Sequence, residues 1–209
     1  MISQGSDEWF AARIGKVTAS RVKDVMATGR GGAPSATRKN YMMELLCERL
    51  SGETAPSFST PSIRRGLELE PVARGMYEMD SPHDVKEVGL IDHPSILMFG
   101  ASPDGIVILP GAKGGIEIKC PNTAQHVAVI QSGKHDPQYE WQMLAQMSCA
   151  ELEWVDFVSY DDRLPAPLDY ACYRFERDDR RITEMERAIV EFLQELDELE
   201  KEMRERMAA

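Results

Sequence analysis

Residues 102–121 read SPDGIVILPGAKGGIEIKCP, two short apolar runs parted by a stretch of proline, glycine and lysine. β-Branched residues bounded by Gly and Pro predict strands over IVILP (106–110) and GGIEIKCP (114–121), joined as a hairpin by a turn at Gly111–Gly115. Side chains alternate along a strand, so Ile116 and Ile118 point one way while Glu117 and Lys119 point the other. Asp104 opens the first strand, and a hairpin brings it alongside the C-terminal half of the second. Two carboxylates about 4 Å apart in a partly buried site repel by roughly 4 kcal/mol at an effective dielectric of ~20. A protonated carboxyl or an intervening cation removes that cost. Oxygen ligands of this kind suit Mg²⁺ or Mn²⁺. Lys119 beside such an ion could orient or deprotonate a water, or neutralise a phosphoryl oxygen. An E-x-K alone is also what a solvated strand face with a surface ion pair looks like. The Asp-Gly opening one apolar strand and the Glu-Ile-Lys closing the next turn the pattern toward a metal site.

Outward from the hairpin, the chain alternates helical and strand patterns. A helix is expected over 6–13 with Ser6 as its cap, then a break near Gly15 and a second helix over about 18–27, capped by Thr18 or Ser20. GRGGAPSATRKN (29–40) is a basic, glycine-rich loop, and Tyr41, Leu45, Leu46 and Leu50 give a helical stripe over 38–51. After a Pro/Ser/Thr-rich loop at 52–61, SIRRGLELEPVARGMYE predicts a helix with a kink or fresh start at Pro71. KEVGLIDH and ILMFGASPD read as strands, and DPQYEWQMLAQMSCA as a helix capped by Asp136. EWVDFVSYD and DYACYRFER are further strands. Ile182, Met185, Ile189, Phe192, Leu196, Leu199 and Met203 form the seam of a C-terminal amphipathic helix at about 180–207, packed on the domain's own sheet or on another subunit. This order predicts one α/β (α+β) domain over 1–209 with a mixed central sheet.

Composition narrows the classes. Four scattered cysteines without a CxxC pair argue against a zinc or iron–sulphur site and for reduced, mostly buried thiols. His83, His93, His126 and His135 lack i,i+4 pairing and read as surface or loop residues. No segment has the length of a membrane helix and the N-terminus lacks a signal-peptide core, so a soluble, cytoplasmic protein is expected. The net charge of −11 speaks against a polyanionic partner until its distribution is considered. Residues 1–40 carry seven Lys or Arg against three Asp or Glu, whereas residues 150–209 carry nine against eighteen. A basic segment on an acidic body is compatible with binding a polyanion at one place.

SPDG followed by IEIKCP resembles the core of the PD-(D/E)XK nuclease superfamily, and more narrowly the lambda exonuclease/YqaJ-type viral recombinase family. The resemblance runs in blocks from about Trp9 to Arg163: WFAARIGKVTAS, RRGLELEP, SPDG, IEIKCP and YDDR. It implies a restriction-endonuclease-like core in which Asp104, Glu117 and the backbone carbonyl of Ile118 bind Mg²⁺, with Mn²⁺ able to substitute. Lys119 then serves catalysis and Glu70 approaches the metals. It further implies that Arg13, Ser20, Ser102 and Gln142 bind the 5′-phosphate of the strand being digested. Taken singly, Arg13 could be an exposed charge, Ser20 a cap, Gln142 a polar residue on a helix face and Glu70 an acid at a helix start. The activity implied is 5′-to-3′ digestion of double-stranded DNA ends by water activated at the metal site, leaving a 3′ single strand for recombination. A homotrimeric ring and a single-strand annealing recombinase as partner come with the same resemblance. The motif itself leaves open an endonuclease or repair nuclease on this fold, and a non-catalytic DNA-end-binding module. The role of Tyr160–Arg163 does not follow from the residues.

Overall fold

The hairpin at 102–121 occupies the middle of a five-stranded sheet. The computed structural model describes residues 3–54, 60–81 and 84–208. Strand β5 (Gly105–Leu109) pairs antiparallel with β6 (Ala112–Lys119). Leu109 pairs directly with Ala112, so the turn is Pro110–Gly111, with Gly111 at φ +81°. The turn is thus tighter than the expected Gly111–Gly115 span, because Lys113, Gly114 and Gly115 continue the ladder opposite Ile108, Val107 and Ile106. On the other side of β6 lies β7 (Trp154–Tyr160), parallel to it, and then β8 (Tyr170–Glu176), antiparallel. The two-residue β2 (Val85–Lys86) closes the far edge on β5. The mixed α/β architecture read from the sequence is the one observed.

A second, three-stranded sheet has the order β1 (Val17–Thr18), β4 (Phe99–Ala101), β3 (Ile91–Asp92). Its parallel β1–β4 pairing joins the N-terminal block to the residues just before Asp104. KEVGLIDH, expected as one strand, is split between β2 and β3. Helix α1 (Asp7–Arg13) is capped by Ser6, whose hydroxyl accepts from the Trp9 N–H. The expected helix over 18–27 shortens to a 3₁₀ turn (Ala19–Arg21) and α2 (Val22–Val25), because Val17 and Thr18 are drawn into the sheet. Neither Thr18 nor Ser20 caps it. The basic loop ends earlier than expected, where Ser35 caps α3 (Ala36–Ser51).

Helix α4 (Pro61–Asp80), capped by Thr60, continues through Pro71 as one element. The proline removes only the bond its N–H would make to the Leu67 carbonyl, and Leu67 and Pro71 are both exposed to water. Ala73 and Tyr77 of α4 cover Val107, Ile116, Ile118, Val158 and Tyr160 on one face of the large sheet. The opposite face carries the larger core. There α6 (Glu140–Ala150) packs with α2, α3 and α7 (Asp179–Ala208) around Phe99, Val155 and Phe157. The seam residues Ile182, Met185, Ile189, Phe192 and Leu196 are buried, and Phe192 stacks on Tyr41 of α3 at 5.7 Å. The seam therefore packs within the chain, chiefly on helices rather than on the sheet, while Met203 stands 39% exposed. A helix the sequence reading missed, α5 (Thr123–Ser132), follows β6, capped by Asn122 and ended by Gly133. No helix among the described residues is long and apolar enough to cross a membrane.

His93 and His126 are buried, contrary to the surface or loop reading. Each imidazole has both ring nitrogens bonded. His126 faces Ser159 Oγ at 2.7 Å and the Leu168 carbonyl at 2.9 Å, and His93 accepts from the Ser95 and Ile96 N–H groups. His83 and the segment 55–59 lie outside the described residues. All four cysteines are free; only Cys149 is buried, Cys120 and Cys172 are half-buried and Cys47 is exposed, so the thiols are less buried than expected.

Candidate active site

The hairpin delivers Asp104 to β6 as its register demands. The Asp104 N–H donates to the Ile116 carbonyl at 3.2 Å, and Asp104 Oδ2 accepts from the Ile118 N–H at 2.7 Å. Glu117, on the face opposite Ile116 and Ile118, is fully buried beneath α6. Gln142 Nε2 donates to Glu117 Oε1 at 2.6 Å, and Gln146 Nε2 donates to Glu117 Oε2. Lys119 Nζ pairs with Glu117 Oε1 and lies 4.9 Å from the centre of the Tyr139 ring. Across the cleft, Glu70 on α4 is held by Arg74 at 2.8 Å, and Arg74 also reaches Glu87 at 2.8 Å. Glu70, Arg74, Glu87 and Asp104 line a cleft of about 370 Å³ together with Trp9, Phe10 and Leu67.

The electrostatics of this cleft set acid against acid. Burial, then repulsion from Glu117, pushes the Asp104 carboxyl well above the ordinary aspartate range. Burial likewise raises Glu70, against the pull of Arg74 and Lys119. For Lys119, burial disfavours the ammonium, yet Glu117 and Asp104 outweigh it and hold the group above the usual lysine range. No group of three His, Cys, Asp or Glu side chains stands at metal-ligand spacing among the described residues. The oxygen donors expected from the sequence are the Asp104 and Glu117 carboxylates and the Ile118 carbonyl, with Glu70 nearby. A divalent cation, completed by water and phosphate oxygens, is what relieves such a like-charge pair. Gln146 Oε1 is buried and without a hydrogen-bond partner among the described residues. The residues present fit Mg²⁺.

A smaller hollow, about 210 Å³, adjoins the cleft and shares Phe10 as a wall. Arg13 and Ser20 both line it, with Lys16, Arg21 and Tyr41. Lys16 is paired with Asp92, and Arg21 with Asp24 and Glu44. Arg13 makes no ion pair among the described residues; its guanidinium lies 4.0 Å from the centre of the Trp9 ring. Trp9 Nε1 in turn donates to Ser102 Oγ at 3.0 Å, which ties Ser102 to the wall of the larger cleft. The structure thus brings Asp104, Glu117, Lys119 and Glu70 together, and Arg13 with Ser20. Gln142 hydrogen-bonds Glu117, and neither Gln142 nor Ser102 is among the residues lining the hollow of Arg13 and Ser20. Gln146, Arg74 and Tyr139 were not singled out from the sequence. Gln146 lies one helical turn after Gln142, but nothing in the sequence marks that face of the helix as the one that meets Glu117.

A family model described as a YqaJ-like viral recombinase domain matches residues 8–153. The chain is similar to an alkaline exonuclease, LHK-Exo, from Laribacter hongkongensis, at 50% identity over 97% of this chain and 98% of that one, with a TM-score of 0.89. A structure of LHK-Exo in complex with dAMP gives the same figures. A phage-related exonuclease from Haemophilus somnus 129PT is 16% identical over 90% of this chain and 96% of that one, with a TM-score of 0.71, a likeness of fold. No curated protein matches the sequence.

Proposed function

The chain belongs to the YqaJ-like viral recombinase domain family, and from that premise we propose that it is a Mg²⁺-dependent exonuclease acting on the 5′-ended strand of duplex DNA. The observation that carries this reading is the pairing of Asp104 Oδ2 with the Ile118 N–H, which sets Asp104 beside Glu117 on β6. The similarity to an alkaline exonuclease at 50% identity supports the reaction class. The adjoining hollow of Arg13 and Ser20 supports end recognition.

In this proposal Asp104, Glu117 and the Ile118 carbonyl hold the cation, with Glu70 facing them from α4. When bound, Mg²⁺ supplies charge neutralisation and Lewis-acid polarisation of a phosphoryl oxygen. The protein's own groups do the rest. Gln142 and Gln146 fix both oxygens of Glu117, so its carboxylate is already oriented. Lys119, kept as an ammonium by Glu117 and Asp104, donates to charge developing on the phosphate. It becomes able to take a proton from water only as those carboxylates' charge is taken up elsewhere. Arg13, resting on Trp9, receives the terminal 5′-phosphate, and Phe10 separates that phosphate from the cleft. Digestion would leave a 3′ single strand for an annealing recombinase, and a homotrimer around the duplex belongs to the same proposal.

The test is a linear duplex carrying a label on its 5′-ended strand and either a phosphate or a hydroxyl at that end. With Mg²⁺ the label is released, EDTA stops it, and phosphorylated ends react faster; Arg13→Ala removes that preference. Absence of Mg²⁺-dependent loss of the 5′ strand overturns the proposal, and an unchanged preference in Arg13→Ala removes Arg13 from its role.

A further inference from the structure

The β6–β7 ladder reaches its last residue pair at Lys119 and Ser159, so the proposed catalytic ammonium stands on the final residue of its strand. What holds the chain immediately beyond it is a cluster of charged groups from two other elements. The carbonyls of Cys120 and Pro121 both accept from Arg65 Nη1, each at 3.3 Å. The Pro121 carbonyl also accepts from Arg163 Nη2 at 3.0 Å. Arg65 Nη2 donates to Asp161 Oδ1 at 2.8 Å and also to Asp162. Arg163 Nε donates to the same Asp161 oxygen at 2.6 Å, and the Arg163 N–H does so at 3.2 Å.

Asp161 is fully buried just past the end of β7, and its backbone N–H is fixed to the Asp169 carbonyl at 2.9 Å. A buried carboxylate is costly unless paired and hydrogen-bonded. Burial works against its ionisation, but Arg163 and Thr123 outweigh that and hold it down at about 2. One buried anion therefore gathers two guanidinium groups; Arg65 reaches both residues that follow Lys119, and Arg163 reaches the second, Pro121. Arg65 also lies five residues before Glu70 on α4, so the cluster joins the two elements that carry Lys119 and Glu70. Arg65 does not itself line the cleft.

We infer that Arg65, Asp161 and Arg163 are positioning residues, a clamp on Cys120–Pro121 that fixes Lys119 relative to the helix bearing Glu70. The inference rests on the exonuclease reading above and deepens it, and it gives the YDDR block a role. Arginine suits the task because its planar fork reaches two carbonyls and a carboxylate at once, which the point charge of lysine cannot. A misplacement of the reacting groups by about 1 Å costs about 100-fold in rate.

The test compares Arg65→Lys and Asp161→Asn with Asp156→Asn. Asp156 is an equally buried carboxylate on β7, bound by Arg174 at 2.8 and 2.9 Å and by Tyr77, but remote from the Cys120–Pro121 turn. Steady-state cleavage of a 5′-phosphorylated duplex with Mg²⁺ gives kcat and KM separately, and thermal melting gives Tm. The clamp predicts that kcat falls about 10- to 100-fold in Arg65→Lys and Asp161→Asn with KM within about two-fold. Asp156→Asn loses as much Tm but keeps kcat within about three-fold. Should Asp161→Asn fail to fold, Arg65→Lys decides alone, since its side chain is 26% exposed and the charge is retained. Full kcat in Arg65→Lys, or kcat losses that simply track Tm across all three variants, overturns the clamp. A raised KM at unchanged kcat also overturns it, by making Arg65 a DNA contact. An unaltered protein that does not cleave overturns the functional reading and the clamp together.

Discussion

Asp104 is held in its raised state by burial and by Glu117, yet its Oδ2 has a fixed backbone donor in Ile118. The sign of its effect on stability follows. A carboxyl whose folded pKa lies above its unfolded one is strained when ionised, so the metal-free protein gains stability as pH falls through that raised pKa. Asp104→Asn keeps an acceptor for the Ile118 N–H and removes the charge. The metal-free variant is expected to melt higher in EDTA, by about 2–4 °C for each ~1 kcal/mol relieved, while cleavage is lost. A lower Tm than the unaltered protein would show that Asp104 is not strained. At this scale the core of the site was legible, because strand alternation alone separates Glu117 and Lys119 from Ile116 and Ile118. Gln146 and Arg74 were not, since which face of a neighbouring helix meets the strand depends on packing that no local pattern records.

At the scale of elements, the N-terminal half of the site hangs on Gly15. Its φ is +67°, its N–H donates to Glu48 Oε2 at 2.9 Å and its carbonyl accepts from Arg49 Nε at 3.0 Å. Arg49 is fixed in turn to Asp197 and Glu200 of α7, so the C-terminal helix braces the turn between Arg13 and Ser20. A Cβ on Gly15 would meet Arg49 Cγ at 2.5 Å, and the left-handed backbone adds roughly 1–2 kcal/mol. Gly15→Ala is expected to lower Tm and to erase the preference for 5′-phosphorylated ends. A preserved preference would mean the hollow does not depend on this turn. The break at Gly15 and the Ser6 cap were visible in the sequence. Helix α5 was not, because only His126 and Val129 of its ten residues are buried, too thin a stripe to show periodicity. Pro71 misled for the opposite reason: the rule that proline breaks a helix weakens where water can serve the orphaned carbonyl.

Over the whole molecule, the charge is divided. The first forty residues are net basic and the last sixty strongly acidic, and the basic segment supplies Arg13, Lys16 and Arg21 to the hollow, which Glu44 and Glu48 of α3 also line. The proposed ring of three chains, with the basic segments facing a central duplex, would reconcile an overall charge of −11 with a DNA substrate. Light scattering is expected to give three times the chain mass, with or without a short duplex; a monomer under both conditions would remove the ring from the proposal. The pairing of β1 with β4 has a further consequence. It links the hollow to the cleft through Val17–Phe99 and Thr18–Gly100, two rungs of backbone rather than a flexible loop. For an enzyme that seats a strand terminus in one and cuts in the other, those rungs act as a gauge. Under the proposed function, the length of the piece removed at each turnover would then be a constant of the fold, indifferent to the bases that pass.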